Sequence, residues 1–132
     1  MAGFSDAWEI KILNCIFQKE AWAVTTCWLT VATNTILDTD TGSTISEPTG
    51  TFVRAKISTL SMASAAAGVI SNQALISFGA ASSNWGTITH FAVCAASVLG
   101  DVIAFSSVSV AKAVASDDIV YFDVGALKVY LS

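Results

Sequence analysis

The order of apolar and polar residues along the chain predicts one helix followed by a run of short strands. Near the start, Trp8, Ile12, Cys15 and Ile16 recur at helical spacing, with Leu13 and Phe17 broadening the stripe. Glu9, Lys11, Asn14 and Gln18 fall mostly on the other side. Ser5 or Asp6 can cap this helix, and Asp6 and Glu9 place acid in its first turn, where it complements the helix dipole. From Trp22 onward the period changes to two. Residues 26–33 are rich in β-branched and aromatic side chains, with Cys27, Leu29 and Val31 on one face. A polar loop over 34–50 ends in the turn signal Glu47-Pro48-Thr49-Gly50. Residues 51–58 alternate Phe52, Arg54 and Lys56 against Val53, Ala55 and Ile57, which predicts one wet and one buried face.

The Ala/Ser run over 61–68 is low in complexity and reads as a loop. Strands are predicted near 69–71, 75–78, 87–94 and 102–108, with a further short one at 110–115. Asp117-Asp118 marks a turn before 119–124, and Leu127, Val129 and Leu131 then alternate against Lys128 and Tyr130. One helix and seven to nine short strands, with no strand–helix alternation, predict a mainly β chain. The expected architecture is an antiparallel β-sandwich or jelly roll with one N-terminal α-helix. It is expected to be a single domain over 1–132, with a helical arm at 1–20 and a β-sandwich body at 21–132.

Composition changes this picture in one respect. The chain is 54% hydrophobic and only 12% charged, against a surface of roughly 25–35% charged residues for a free-standing soluble domain. Residues 57–100 contain no Asp, Glu, Lys or Arg at all. Such a chain suits a subunit covered by neighbours. The net charge of −4 and six scattered bases leave no basic stripe for nucleic acid. Gly100-Asp101 and Lys112 interrupt the most apolar window, so no membrane-spanning helix is expected there, and no signal peptide is visible. Cys15, Cys27 and Cys94 form an odd set with no close pair, which favours free thiols in a reducing cytoplasm.

Candidate chemistry is sparse. His90 and Cys94 would share a strand face but lie roughly 13 Å apart, too far to hold one ion or share one proton, so His90 is expected to be structural. Asp38-Thr39-Asp40-Thr41-Gly42 begins like a calcium loop, but its twelfth position is Thr49 rather than an acid. Turn chemistry accounts for Asp101 and Asp117-Asp118. No GxSxG, phosphate-cradling Gly-rich loop or HExxH occurs. No catalytic, cofactor-binding or metal-ligating residue is assigned, and the chain is not expected to be an enzyme. Of the four tryptophans, Trp28 and Trp85 are assigned to the core, whereas Trp8 and Trp22 flank the helix and are interface candidates.

Several stretches together carry a resemblance. They are Ser5-Asp-Ala-Trp-Glu-Ile-Lys-Ile-Leu13, the strand at 26–33, Glu47-Pro-Thr-Gly50, Phe52-Val-Arg-Ala55, Ile76-Ser-Phe78, the Gly-Ala-Leu-Lys-Val ending, and most specifically Trp85-Gly-Thr-Ile-Thr-His-Phe91. The chain resembles small structural proteins of tailed bacteriophages, often labelled tail-fibre proteins, some of which are similar to capsid cement proteins with a jelly-roll fold. The resemblance implies a virion protein made in the host cytoplasm. It would bind on the capsid exterior across joints between major capsid protein subunits, homo-oligomeric and free of cofactors, nucleic acid and membrane. Two alternatives stand beside it: a tail-fibre or baseplate component contacting the host surface, and a carbohydrate-binding β-sandwich module with an exposed aromatic platform. Contacts are expected through the helix and the uncharged loops at 61–68 and 80–84, specifically at Phe4, Trp8, Ile12, Trp22, Met62, Ala65, Ser82 and Asn84.

Overall fold

A computed structural model describes residues 3–21 and 26–130. After a short strand β1 (Gly3–Phe4), helix α1 (Asp6–Ile16) leads to strands β2 (Cys27–Ala32), β3 (Ala55–Ile57), β4 (Val69–Ser71), β5 (Ile76–Ala80), β6 (Gly86–Cys94), β7 (Val102–Val114), β8 (Ile119–Phe122) and β9 (Lys128–Tyr130). All pairings are antiparallel. One five-stranded sheet runs β1-β7-β6-β2-β3, and two ribbons, β4-β9 and β5-β8, form the opposing layer. The predicted mainly β, antiparallel sandwich with one N-terminal helix is thus observed.

The middle of the large sheet is buried on both faces, which is why β2 and β6 read as nearly continuous apolar runs. Leu29, Val31, Phe91 and Val93 face the ribbons and pack with Ile76, Trp85 and Leu127 in the main core. Ala32, Ala92, Cys94 and Val102 face the other way and are covered by Ile36 and Ile45 of the 34–50 loop. Ile88 and Phe91 both enter the main core although they differ in parity. A register shift between Ile88 and His90 makes this possible. Trp85 meets Phe52 edge-on at 5.1 Å and Phe78 at 6.2 Å, anchoring one end of that core. Buried Asn72 ties the two ribbons together. Its amide donates to the carbonyls of Ala74 and Asp123 at 2.9 and 2.8 Å, and its Oδ1 accepts from the Leu127 N–H at 3.0 Å.

The face without a strand layer is held by a buried guanidinium. Arg54 is 4% exposed, whereas Val53 beside it is 69% exposed, so the predicted wet and buried faces of 51–58 are exchanged at these two positions. The inversion has a chemical cause. Arg54 Nε and Nη2 each donate to the Glu47 carboxylate at 2.8 Å, and Nη1 donates to the carbonyls of Ala96 and Leu99 at 2.8 Å each. Nη2 also donates to the Gly42 carbonyl at 3.0 Å, and Thr30 on β2 donates its hydroxyl to Glu47. Two loops therefore share a single fork of donors, and Thr30 ties β2 to the same carboxylate. Gly42 must be glycine, because a Cβ there would lie 2.0 Å from the Leu99 carbonyl oxygen.

Other expectations are refined. The strands predicted at 102–108 and 110–115 are one strand, β7, bulged rather than broken. Only Ala55–Ile57 of 51–58 is strand. Ser5 begins α1 but does not cap it through its side chain. Its hydroxyl instead donates to the Val102 carbonyl and its N–H to that of Ile103, pinning the helix start to β7. Trp8 follows into the core, and Lys11 pairs with Asp101 while lying 5.1 Å above the Trp8 ring.

Arg54→Leu is expected to lower the unfolding free energy by about 3–5 kcal/mol, because it strands the Glu47 carboxylate and three carbonyls. The double variant Arg54→Leu/Glu47→Leu is expected to lose less than the two single changes added together; urea titration of all three checks this. A second expectation concerns alkaline pH. Burial, the dominant cause, pushes the Cys94 thiol up to about 11. The folded chain then keeps this proton longer than the unfolded one. The associated stability is full below the unfolded value of about 8.5 and falls as pH rises from there to the folded value, by about 3 kcal/mol in all. Thermal melts between neutral and strongly alkaline pH should show this loss, and Cys94→Ala should remove it.

Candidate functional site

An apolar groove of about 660 Å³ opens between α1, the start of β2, the end of β3 and the following loop. Phe4, Trp8, Ile12, Cys27, Ile57, Met62, Ala63, Ile70 and Ile103 supply its apolar lining. Its volume lies within the range of about 300–1,000 Å³ usual for ligand sites. The chemistry does not suggest catalysis: the polar lining consists of Thr26, Ser58, Thr59 and Ser64, with no charged side chain. The Cys27 thiol is pushed up by burial, away from the thiolate a nucleophile needs. The groove offers surface to cover rather than groups to react.

Beside it stands a complementary feature. On the outward side of α1, Ile10, Leu13, Ile16 and Phe17 are 61%, 56%, 64% and 69% exposed. Ile10, Leu13 and Phe17 sit at i, i+3 and i+7, the spacing with which an amphipathic helix fills a groove. Leu13, Ile16 and Phe17 belong to the apolar stripe read from the sequence, and here they face outward. The structure buries only Trp8 of α1, with Ile12 partly covered against the core.

Of the predicted interface residues, the structure brings Phe4, Trp8, Ile12 and Met62 together in the groove wall. Trp8 is buried there and serves the core, leaving the other three half-covered. Trp22 lies outside the described residues. Ala65 is exposed on the loop beyond Ser64. Ser82 and Asn84 do not line the groove: Ser82 pairs with Thr51, and Asn84 Oδ1 accepts the Ser116 N–H at 3.0 Å. Ile57, Ile70 and Ile103 complete the groove and were not singled out from sequence, where each reads as an ordinary strand residue. Only the alternation at Ile57 hinted at burial.

The polar candidates are occupied locally. His90 Nδ1 lies 2.9 Å from the Thr89 hydroxyl. Asp40 accepts the Leu37 N–H and the Thr44 hydroxyl at 2.8 Å each, within its own loop. Asp118 accepts the Ala115 N–H at 2.9 Å, next to Asp117 in the left-handed region at φ 71°. Among the described residues, no group of three or more His, Cys, Asp or Glu side chains could hold a metal ion.

Residues 3–130 match the family model of the podophage GP4 fiber I protein gp80. The chain belongs to this family. The match spans nearly the whole chain and identifies a phage virion structural protein. No curated protein matches it significantly. For this fibre-family chain the family description carries the virion role, and it favours the fibre alternative over capsid cement.

If the groove is open and apolar in solution, an environment-sensitive apolar dye should brighten on the native protein. Met62→Glu in its wall should remove most of that enhancement while leaving the urea midpoint close to wild type, since Met62 is only half-buried.

Proposed function

We propose that this protein is a non-enzymatic building block of a phage fibre, and that copies join by seating the α1 ridge of one in the groove of the next. The observation that carries this reading is the pairing, on one molecule, of an apolar ridge at i, i+3, i+7 spacing with an uncharged apolar groove. Ridge and groove are different surfaces, so the contact is head-to-tail and propagates as a ring or filament instead of closing as a two-fold dimer. Family membership and the low charge of the chain support the same role.

Magnitudes decide how tight such a contact is. Fully burying four large apolar side chains contributes at most about 6–12 kcal/mol, at about 1.5–3 each. These four are already partly covered, and association costs about 4–15 kcal/mol. One contact is therefore weak, and stable assembly needs many contacts acting together or a template.

Sedimentation of the isolated chain should show reversible association between micromolar and millimolar concentration. Leu13→Asp with Phe17→Asp should weaken it about tenfold or more, with little change in melting temperature. A chain that stays monomeric throughout, or a double variant that associates like wild type, overturns the proposal. Copy counting on virions separates the rival role. A few copies on the tail fit a fibre subunit, whereas many copies spread over the head indicate capsid cement bound to the major capsid protein.

A further inference from the structure

At the other side of the sandwich lies a second concavity of quite different chemistry, formed where β7, β8 and β9 meet. It measures about 240 Å³, below the roughly 300–1,000 Å³ of drug-sized sites and suited to a single ring. Tyr121 and Tyr130 line it with Phe122, Ser107, Ser109 and Lys128. Tyr121 is 54% exposed, and Phe122 is held edge-on against Phe91 at 5.3 Å, giving a fixed aromatic floor. Among the described residues, the hydroxyls of Ser107, Ser109, Tyr121 and Tyr130 and the Lys128 ammonium have no hydrogen-bond or ion-pair partner within the chain.

Two departures from regular pairing flank this cup. Between His90 and Ile88, β6 spans two residues while β7 spans five, from Ser107 to Lys112, so β7 carries a bulge that includes Ser109. In the β5-β8 ribbon the register shifts between Ser77 and Ala80, at Gly79 with φ 75°, opposite the stretch that ends in Tyr121. Bulges of this kind re-aim side chains at sites of contact.

We propose that this cup binds one pyranose unit, with Lys128 favouring a sugar that carries a carboxylate. Aromatic rings present an apolar face with a polar tip, which matches the C–H face and hydroxyl rim of a sugar. The free serine and tyrosine hydroxyls can both donate and accept, as sugar hydroxyls require. Lys128 is the one charged side chain of the lining, so a carboxylate there meets a cation and no acid. The site stands independently of the assembly contact at α1.

The test is saturation-transfer NMR on the full chain with glucose, galactose, glucuronate and galacturonate, each titrated into the millimolar range. At least one uronate should receive saturation on its ring protons and bind more tightly than its neutral counterpart. Tyr121→Ala should weaken binding about tenfold or more. Lys128→Gln should remove the preference for the uronate while leaving neutral-sugar binding unchanged. Leu13→Asp should alter none of this, which separates failure of this site from failure of the assembly reading. Absence of transfer to all four sugars, or transfer unchanged in Tyr121→Ala, overturns the proposal.

Discussion

The fold depends on one buried guanidinium. A five-stranded sheet needs cover on both faces, and this chain has strands enough to cover only one. The other face is closed by the 34–50 loop and the turn at 95–100, which bring backbone carbonyls in against Arg54. Buried carbonyls without donors cost about 1–3 kcal/mol each. Arg54 meets three of them, at Gly42, Ala96 and Leu99, with Glu47 balancing its charge. No other side chain carries five donors in a fixed plane. The close approach of Gly42 to Leu99 is part of the same device, because it brings the two loops within reach of one fork.

Spending charge inside leaves little for the surface. Arg54 and Glu47 are withdrawn to the node, Lys11 and Asp101 pair across α1 and β7, and Asp40 and Asp118 serve their own turns. Large apolar residues accordingly stand exposed over much of the molecule, from Ile10 to Val124, and Leu60 beside the groove is among the most exposed. Scattered singly, such residues need no explanation, but a contiguous patch marks a contact surface. The α1 ridge and the groove are two such surfaces. On its edge away from β6, β7 pairs with no strand beyond Phe105 among the described residues, and there Lys112 supplies the charge that discourages edge-to-edge pairing.

Local pattern made the strands and the helix legible, because period and turn residues act over a few positions. Trp85-Gly86, Asp117-Asp118 and the alternation of Leu29 and Val31 all needed only their neighbours. Arg54 could not be placed this way: its burial is decided by Glu47 and by carbonyls more than forty residues away, while alternation alone assigns an arginine to water. The joining of 102–108 with 110–115 was hidden for a related reason. A multi-residue bulge interrupts the alternation without ending the strand. At the candidate site, Phe4, Ile12 and Met62 stood out as apolar residues in exposed settings. The ridge lay within the helix expected to make contacts but was not resolved residue by residue, because helical spacing shows that a stripe exists and says nothing of which part the domain itself covers.

The two concavities differ in what they can ask of a partner. The groove under α1 has an uncharged, largely apolar lining and so rewards any apolar ridge of the right spacing, with little discrimination by charge. Its selectivity must come from shape and repetition, which suits contacts between identical subunits. The cup at Tyr121 and Tyr130 is small, hydroxyl-rich and carries one cation, so it gains little from apolar area and depends on matched hydrogen bonds. A site of that kind is weak for a single ligand unit and becomes effective when copies are held together. Assembly through the groove would supply that repetition. The same shortage of surface charge that favours association would then leave Lys128 a conspicuous positive point on each repeated face.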